Sequence, residues 1–410
     1  MTQTVVDRFL RYVVIDTQSD AASPTQPSTE KQKNLGRVLV ADLLAIGVND
    51  AHLDEHGYVY GTIPSNVDKP VPVICYCSHM DTATDFTGTD VKPQIVKNYD
   101  GNDIRLVGNT DLVIRRSEHP ALADQIGNDI ITTDGTTLLG ADDKAGLAEI
   151  VTAADYLLSH PEIPHGTIRI LFTTDEEIGR GVDKVDIAKL GAAFGYTVDG
   201  ETAGHIEDES FSADGVEIVI WGVAIHPGFA KGRMENAIKI ASRIIDRLPP
   251  HMAPETTEGR EGFLHPTNLQ GTMEKASISH IVRAFDEEGL KQEKEVLRRI
   301  VEGVMTEFPG STFSFTVKEQ YRNMKMVLDR NPEIIENALE AIRRAGMTPV
   351  RGSIRGGTDG SRLSFMGLPC ANVFAGGHAF HSPLEWVSRQ DMEKAVTTLV
   401  ELARVWEERS

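Results

Sequence analysis

The stretch "TIRILFTTDEEIGRG", from Thr167 to Gly181, decides the fold class of this chain. It opens with a continuous apolar run over 167–174, which is typical of a strand buried on both faces of a sheet. The run ends in three consecutive carboxylates, Asp175, Glu176 and Glu177. Like charges this close repel each other, and carboxylates are seldom buried without partners. The pattern therefore predicts an α/β sheet with a strand end whose acidic groups face a positive charge.

Apolar strands and helices alternate on both sides of this stretch. Strands are predicted at "VPVICYCS" (71–78), "AAFGYTVDG" (192–200) and "CANVFAGG" (370–377). Helices are predicted at the N-terminus, over 141–160, 331–346 and 389–409, and from a capping box at Thr29–Gln32 to Gly47. Strands separated by helices indicate an α/β domain with a sheet covered on both faces.

The alternation of apolar strands and helices ends near residue 212. Three strand-like and two amphipathic helical segments follow, in an order that suggests a ferredoxin-like sandwich with two helices on one face of a sheet. We therefore expect a catalytic domain formed by 1–211 and 323–410, with a second α+β domain inserted at 212–322. The least regular stretch, 86–128, is expected to be a long excursion at the edge of the sheet.

The amino-acid composition limits the classes of molecule that this chain is expected to bind. The 410 residues include 41 Lys and Arg against 61 Asp and Glu, a net charge of −20. So acidic a chain disfavours nucleic acid and anionic membranes as partners. The excess acid is explained either by solubility or by bound cations. No signal peptide and no membrane-spanning apolar run is visible, and three cysteines form no disulfide framework, so we expect a cytoplasmic protein.

Five groups of acidic and histidine residues lie at or just past predicted strand or helix ends, where α/β sheets gather their ligands. They are "SHMDTA" with His79 and Asp81, "GADDKAG" with Asp142 and Asp143, "TTDEEIG", "YTVDG" with Asp199, and "GGHAFHSPLEW" with His378, His381 and Glu385. Mixed His and carboxylate ligands suit zinc, and also manganese or cobalt. A pair of zinc ions needs one bridging carboxylate, and one further carboxylate that binds no metal can take a proton from water. Adjacent glutamates fit such a division of roles.

These residues resemble those of the dinuclear zinc family of aminopeptidases and carboxypeptidases, most closely its tripeptide aminopeptidases. The segments that carry the resemblance include "SHMDT", "TLLGADDKAGLAEI", "TTDEEIGRG", "HPGFAKGRMENA" and "RGGTDGSRLSFMGLPCANVFAGGHAFHSPLEW", and they span nearly the whole chain. The resemblance implies a zinc-peptidase catalytic domain with a mixed sheet and an inserted lid domain. It implies a hydrolase that releases the N-terminal residue of tripeptides with two zinc ions per subunit.

Residue roles follow from the same resemblance. The implied metal ligands are His79, Asp142 as the bridge, Glu177, Asp199 and His381. Glu176 would be the general base and Asp81 would orient His79, while a cis peptide is implied between Asp142 and Asp143. His226 would reach the tetrahedral intermediate when the lid closes, from the same chain or from the other subunit of a homodimer. The implied partners of the peptide carboxylate are Arg283, Asn323 and Arg355.

The C-terminal motif departs from the family's pattern. Relatives usually have tyrosine-rich text before the ligand histidine and Phe at the position of Trp386, so His378 and His381 compete as ligand. The distance of His381 from the double glycine matches the family and favours it, and the change concerns the shape of the pocket more than metal binding.

Several of these residues can also be interpreted as purely structural. Asp142 would also serve as a helix cap, Asp199 as a turn residue, and Arg283 as an exposed strand residue. Glu385 and Trp386 would then only pack around His381. A dizinc carboxypeptidase or amide deacylase would share every ligand, and a non-catalytic metal-dependent binding protein would share the fold.

Overall fold

The structure is a computed structural model that describes residues 3–410; Met1 and Thr2, with which the predicted first helix segment begins, lie outside the described residues. The helices are α1 Val5–Val13, α2 Gln32–Ala45, α3 Ala141–Ser159, α4 Ile187–Leu190, α5 Ala237–Asp246, α6 Glu287–Met305, α7 Lys325–Leu328, α8 Pro332–Arg344, α9 Asp359–Phe365 and α10 Arg389–Glu408. The strands are β1 His52–Leu53, β2 Val59–Ile63, β3 Ile74–His79, β4 Gln94–Val96, β5 Ile104–Arg105, β6 Val113–Ile114, β7 Ile130–Thr132, β8 Ile168–Thr173, β9 Phe194–Gly200, β10 His205–Ser210, β11 Ser212–Trp221, β12 Phe263–Gly271, β13 Lys275–Ala284, β14 Thr312–Tyr321, β15 Val350–Ile354, β16 Cys370–Phe374, β17 Gly377–His378 and β18 Trp386–Ser388.

The chain divides into two compact units. The first comprises the described residues up to Asp208 together with Met324–Gly352 and Thr358–Ser410. The second comprises Glu209–Asn323 and Ser353–Gly357. The insert predicted at 212–322 lies within the longer segment of the second unit.

A mixed sheet, as the resemblance implies, organises the first unit, and it has eight strands. Its strand order is β1-β2-β8-β3-β9-β16-β10-β15. The four central strands β8, β3, β9 and β16 run parallel, with His79 opposite Thr173 and Cys77 opposite Thr197. Strands β2 and β10 pair antiparallel to the two ends of this parallel core. The carboxyl ends of the central strands therefore lie along one edge of the sheet, where ligands gather in α/β folds.

Helix α3 packs directly on this sheet because glycine allows a close approach. A Cβ atom at Gly146 would lie 2.0 Å from the carbonyl oxygen of Val198 on β9, which no side chain could tolerate. The helix is buried over most of its length, and this contact places its first residues beside the end of β9.

The irregular stretch 86–128 is not an extension of the main sheet. It contributes β4 to a separate four-stranded sheet in the order β17-β18-β7-β4, and β5 and β6 form a two-stranded ribbon. In the separate sheet Trp386 pairs with Thr132 on one side and with His378 on the other. The prediction of an excursion at the sheet's edge is therefore wrong in its placement, because β4 pairs with β7, and β7 in turn pairs with β18, about 250 residues further along the chain, which local pattern cannot show.

The second unit has one four-stranded antiparallel sheet in the order β12-β13-β11-β14, with α5 and α6 packed against it. Chain order and strand order match the ferredoxin-like sandwich. Strand β12 was not recognised in the sequence. It is an edge strand that contains Pro266, and its pairing with β13 shifts register between Pro266 and Asn268. Proline is tolerated at such an edge but obscures the strand pattern.

The predicted capping box at Thr29–Gln32 is wrong. Helix α2 begins at Gln32 without a side-chain cap. The hydroxyl of Thr29 donates instead to the carbonyl of Gln18, and the Gln32 amide turns inward and donates to Asp175 at 2.7 Å. A capping box does form at Thr4, before α1. Hydrogen bonds to residues outside the Thr29–Gln32 segment thus replace the capping interaction that the local pattern predicts.

Candidate metal centre

The first group of candidate residues lies at the carboxyl end of β3. His79 is the last residue of this strand and is 2% exposed. Its Nδ1 lies 3.1 Å from the carbonyl oxygen and 3.5 Å from the carboxylate of Asp81. Asp81 is fully buried, and its two oxygens also accept hydrogen bonds from the backbone N–H groups of Glu176 and Glu177, at 3.0 and 3.2 Å. Asp81 therefore connects the end of β3 to the acidic turn after β8.

The second group lies where α3 begins. The peptide between Asp142 and Asp143 is cis, as the resemblance implied, and neither residue has helical backbone angles. Buried Glu385 accepts hydrogen bonds from the N–H groups of Leu139, Gly140 and Asp142, at 2.8 to 3.0 Å. The carboxylate of Glu385 thus fixes the backbone that presents Asp142, which goes beyond the packing role that its sequence position suggested.

Asp143 is turned toward protein donors. Its Oδ2 accepts from the Ser78 hydroxyl at 2.5 Å and from the His79 N–H at 3.2 Å, and its Oδ1 accepts from the Gly146 N–H at 3.3 Å. One oxygen of Asp142, in contrast, lies 2.8 Å from Nε2 of His79, and the other lies 3.4 Å from Nε2 of His381. Asp142 therefore faces two histidines at once, one with each oxygen.

The remaining candidates complete two adjoining sets. Asp199, near the end of β9, places a carboxylate oxygen 3.7 Å from Nε2 of His79. Glu177 places one 2.9 Å from Nε2 of His381. Ligand atoms of His79, Asp142 and Glu177 all lie within 4.8 Å of one another, and the same holds for His79, Asp143 and Asp199. The fold thus brings together all five residues that the resemblance implied as ligands.

The concentration of buried acid shifts the pKa of several groups in the centre. Burial raises the pKa of Glu176 well above its ordinary value and that of Glu177 to about 8. Hydrogen bonds to Asp142 and Glu177 raise the pKa of His381 to about 11. For His79, burial opposes protonation, but its contacts with Asp142, Asp199 and Asp81 raise the pKa well above the ordinary value. Such shifts show that the carboxylates compete for positive charge.

The donor set fits divalent metal ions. It combines imidazole and carboxylate groups, as zinc sites do, and the Oε1 atom of Glu177 is buried without a hydrogen-bond partner within residues 3–410. A buried carboxylate oxygen with no donor is costly unless a cation satisfies it.

The two competing histidines have different surroundings. His381 contacts Asp142 and Glu177, and its Nδ1 lies 3.3 Å from Asp85. His378 is 3% exposed, stacks on Trp386 with ring centroids 4.2 Å apart, and lies 3.3 Å from Glu201. That contact holds the pKa of Glu201 below its ordinary value. The geometry favours His381 as the ligand.

Sequence reasoning missed Asp359. It is the first residue of α9 and is 4% exposed, and its Oδ2 accepts a 2.6 Å hydrogen bond from the hydroxyl of Thr173 at the end of β8. Burial raises the pKa of Asp359 to about 7, and its charge contributes to the raised pKa of Glu176. The only signal in the sequence was an Asp in a glycine-rich segment, which is equally typical of a turn.

The other predicted site residues belong to the second unit. His226 is exposed and its Nδ1 accepts a 3.2 Å hydrogen bond from the N–H of Gly228. The guanidinium of Arg283 lies 5.8 Å from the ring centroid of Phe263 and 6.0 Å from that of Tyr321, and it donates one hydrogen bond to the carbonyl of Arg355 at 3.3 Å.

Arg355 and Asn323 are more fully engaged within that unit. The guanidinium of Arg355 donates to the carbonyls of Thr257, Gly259 and Glu261 at 2.8 to 3.3 Å. Buried Asn323 accepts from the N–H of Ser210 and donates to the carbonyl of Phe285. Their contacts hold chain segments together.

Comparison with known proteins gives concordant results. The sequence model described as Peptidase family M20/M25/M40 matches residues 134–405. Peptidase T of Bacillus subtilis (strain 168) is 48% identical over 407 residues, which covers 99% of each chain. Peptidase T of Geobacillus kaustophilus (strain HTA426) is 47% identical over 410 residues and covers 100% of each. The crystal structure of aminopeptidase PepT from Bacillus cereus ATCC 10987 is similar with a TM-score of 0.75 at 25% identity, and covers 98% of each chain.

Proposed function

Because this chain belongs to peptidase family M20/M25/M40, we propose that it is a dizinc aminopeptidase that releases the N-terminal residue of tripeptides. Full-length relatives at 47 to 48% identity carry the name Peptidase T, and the similar crystal structure is that of an aminopeptidase. The observation that carries the dinuclear part of the proposal is Asp142, whose two oxygens face His79 and His381 separately.

The proposed ligands form two sets that share Asp142. His79 and Asp199 would hold one zinc ion, and Glu177 and His381 would hold the other, with cobalt or manganese as substitutes. Two zinc ions bound there would polarise the scissile carbonyl and lower the pKa of a water molecule between them. Asp81 would keep the His79 ring oriented, and Glu385 would keep the backbone of Asp142 in place.

Glu176 is the proposed general base. Its backbone is fixed by the hydrogen bond from its N–H to Asp81, and its side chain is half-buried and close enough to His79 and Asp199 to interact with them electrostatically. Burial makes its carboxylate a stronger base than in water, which suits a group that accepts a proton from the attacking water and returns it to the leaving amine.

Two residues of the second unit have proposed roles toward the peptide. Because Nδ1 of His226 accepts a hydrogen bond, a neutral ring carries its proton on Nε2, from which it can donate to an oxyanion. Arg283 is the preferred partner of the peptide carboxylate, since Arg355 and Asn323 are more fully committed to internal hydrogen bonds. Closure of this unit as a lid, and the chain from which His226 acts, remain predictions.

One assay tests the function directly. Purified protein with added zinc or cobalt is incubated with di-, tri- and tetrapeptides, and products are identified by mass. We expect release of the N-terminal residue, fastest from tripeptides, and no cleavage after metal is removed by a chelator. Release from the carboxyl end, or turnover of N-acylated amino acids only, would instead identify a carboxypeptidase or deacylase.

Substitution of the base separates an enzyme from a metal-dependent binding protein. Glu176→Gln should lower kcat by about 10²–10⁴, while the metal content, measured by atomic emission, stays at that of the unsubstituted protein. A metal-dependent binding protein has no catalytic activity for the substitution to lower, so it would show no difference between the two forms.

The cellular location and the binding partners of the protein remain predictions from its composition. Among residues 3–410, no helix is both long and apolar enough to cross a bilayer. We keep a cytoplasmic location, short peptides as partners, and no nucleic-acid or membrane partner as proposals, and light scattering would decide whether a homodimer forms.

A further inference from the structure

A second polar cluster borders the candidate metal centre within the first unit. It consists of Glu201, His378 and Trp386, with His119 and His205 near enough for a charge on His378 to act on both. None of these residues belongs to the proposed ligand sets or to the proposed proton transfer.

Two members of the cluster lie close in sequence to two proposed metal ligands, Asp199 and His381. Glu201 follows Asp199 by two residues at the end of β9, and extended chain advances about 3.3 Å per residue, so their Cα atoms are about 7 Å apart. His378 precedes His381 by three residues. The neighbouring Gly377 packs against α3, since a Cβ there would lie 3.3 Å from the Cβ of Ala141, next to Asp142.

The carboxylate of Glu201 contacts a fixed neighbouring side chain but is still exposed to solvent. His378 is buried and stacked on Trp386, so its ring is fixed, and its Nδ1 lies 3.3 Å from Oε1 of Glu201. The Glu201 side chain itself is 54% exposed. Within residues 3–410, its second oxygen makes no hydrogen bond or ion pair. An oriented carboxylate with a free oxygen is suited to accept a charge-assisted hydrogen bond from a cation.

A peptide held for N-terminal cleavage brings a cation to this neighbourhood. The α-ammonium of its first residue lies only two covalent bonds, about 2.5 Å, from the scissile carbonyl carbon. The side-chain ammonium of an N-terminal lysine lies several bonds further out. Both are primary ammonium groups on the same residue of the substrate.

We propose that Glu201, positioned by His378, binds an ammonium group on the N-terminal residue of the peptide and so determines which peptides are accepted. The inference rests on the proposed aminopeptidase function and names the group that this function needs to recognise.

The test compares Glu201→Gln and Glu201→Lys with the unsubstituted zinc-loaded protein. The matched control is Glu162→Gln, which removes the carboxylate of another Glu–His pair, with His160 at 2.8 Å, at an exposed position after α3. Substrates are Leu-Gly-Gly and Lys-Gly-Gly, and KM and kcat are measured separately. Calorimetry gives Kd for uncleavable ketomethylene isosteres of both peptides and of a Leu-Gly-Gly analogue that lacks the α-amine.

Loss of one half-exposed charge-assisted hydrogen bond should raise KM and Kd about five- to tenfold in Glu201→Gln, with kcat little changed. Glu201→Lys should raise them further, and Glu162→Gln should not change them. If the effect covers every peptide with an α-amine and spares the analogue without it, the bound group is the α-ammonium. If it is confined to the lysine peptides, the bound group is the side chain.

KM and Kd within twofold of the unsubstituted protein for all peptides, in both Glu201 variants, would overturn the inference while leaving the aminopeptidase function intact. Failure of the unsubstituted protein to cleave either peptide would refute the proposed function instead. The isostere affinities would still decide the role of Glu201.

Discussion

Asp81→Asn removes a single charge from the candidate centre and tests how the centre is held together. The Asp81 carboxylate is fully buried and meets three groups, the His79 ring and the backbone N–H groups of Glu176 and Glu177. An asparagine amide has one acceptor oxygen and one NH2 group, which can only donate. At least one of the two backbone N–H groups would therefore lose its acceptor and face a donor.

The magnitude follows from these contacts. A buried donor left without an acceptor costs about 1–3 kcal/mol, so the unfolding free energy of the metal-free protein should fall by about 2–3 kcal/mol. Loss of the group that orients a ligand histidine typically weakens metal binding by about 10–100-fold. Unfolding in urea measures the first effect, and competition with a chromophoric chelator for zinc measures the second.

Asp155→Asn is the matched control. Asp155 is also buried, and it accepts a 2.7 Å hydrogen bond from buried Arg8. Breaking this ion pair should cost about 3 kcal/mol or more, because the guanidinium is left buried and unpaired, but zinc affinity should not change. If Asp81→Asn lost stability yet bound zinc within twofold of the unsubstituted protein, Asp81 would have only a structural role and the reasoning would fail.

Three further outcomes are expected. Gly146→Ala should destabilise the protein by at least about 3 kcal/mol in urea unfolding, because its Cβ would lie 2.0 Å from a backbone oxygen of β9; a wild-type midpoint would contradict the packing of α3. Arg283→Ala should raise KM for tripeptides about 30- to 100-fold with little loss of stability, whereas Arg355→Ala, which removes hydrogen bonds to three carbonyls, should mainly lower the unfolding free energy; the reverse pattern would exchange their roles. Burial raises the pKa of Glu293 on α6 to about 8 from an unfolded value of 4.5, so the native state keeps a proton that the unfolded state loses, and stability falls as pH rises from about 4.5 to 8. Glu293→Gln should therefore gain about 2 kcal/mol relative to the unsubstituted protein between pH 5 and pH 8, and equal slopes of unfolding free energy against pH would rule this out.

The regular elements were predictable because their signals are local. The strand that ends before Asp175 spans 168–173, against 167–174 from its apolar run, and α10 begins at Arg389 as expected. The α/β class followed from the alternation of such segments, and the mixed sheet from the family resemblance. Strand β12 was missed because Pro266 interrupts its pattern, and the capping box at Thr29 failed because Gln32 finds a partner in Asp175, far away in the chain.

The candidate ligands were identifiable from sequence, but their mutual arrangement was not. His79, Asp142 and Glu177 belong to motifs with recognisable residue types, and the resemblance assigned their roles. Nothing local shows that the oxygens of Asp142 face two different histidines, or that Glu385 holds the backbone before it. Those contacts join segments separated by 63 to 246 positions.

The sequence by itself determined the central strands and the long helices, and which residue types stand at their ends, because periodicity and turn chemistry act over a few residues. Only the tertiary structure decided that His381 meets the acidic cluster while His378 pairs with Glu201, and that Asp359 lies beside the end of β8. These choices depend on the pairing and packing of segments far apart in the chain, and on the strong energetic preference of buried charges for a partner.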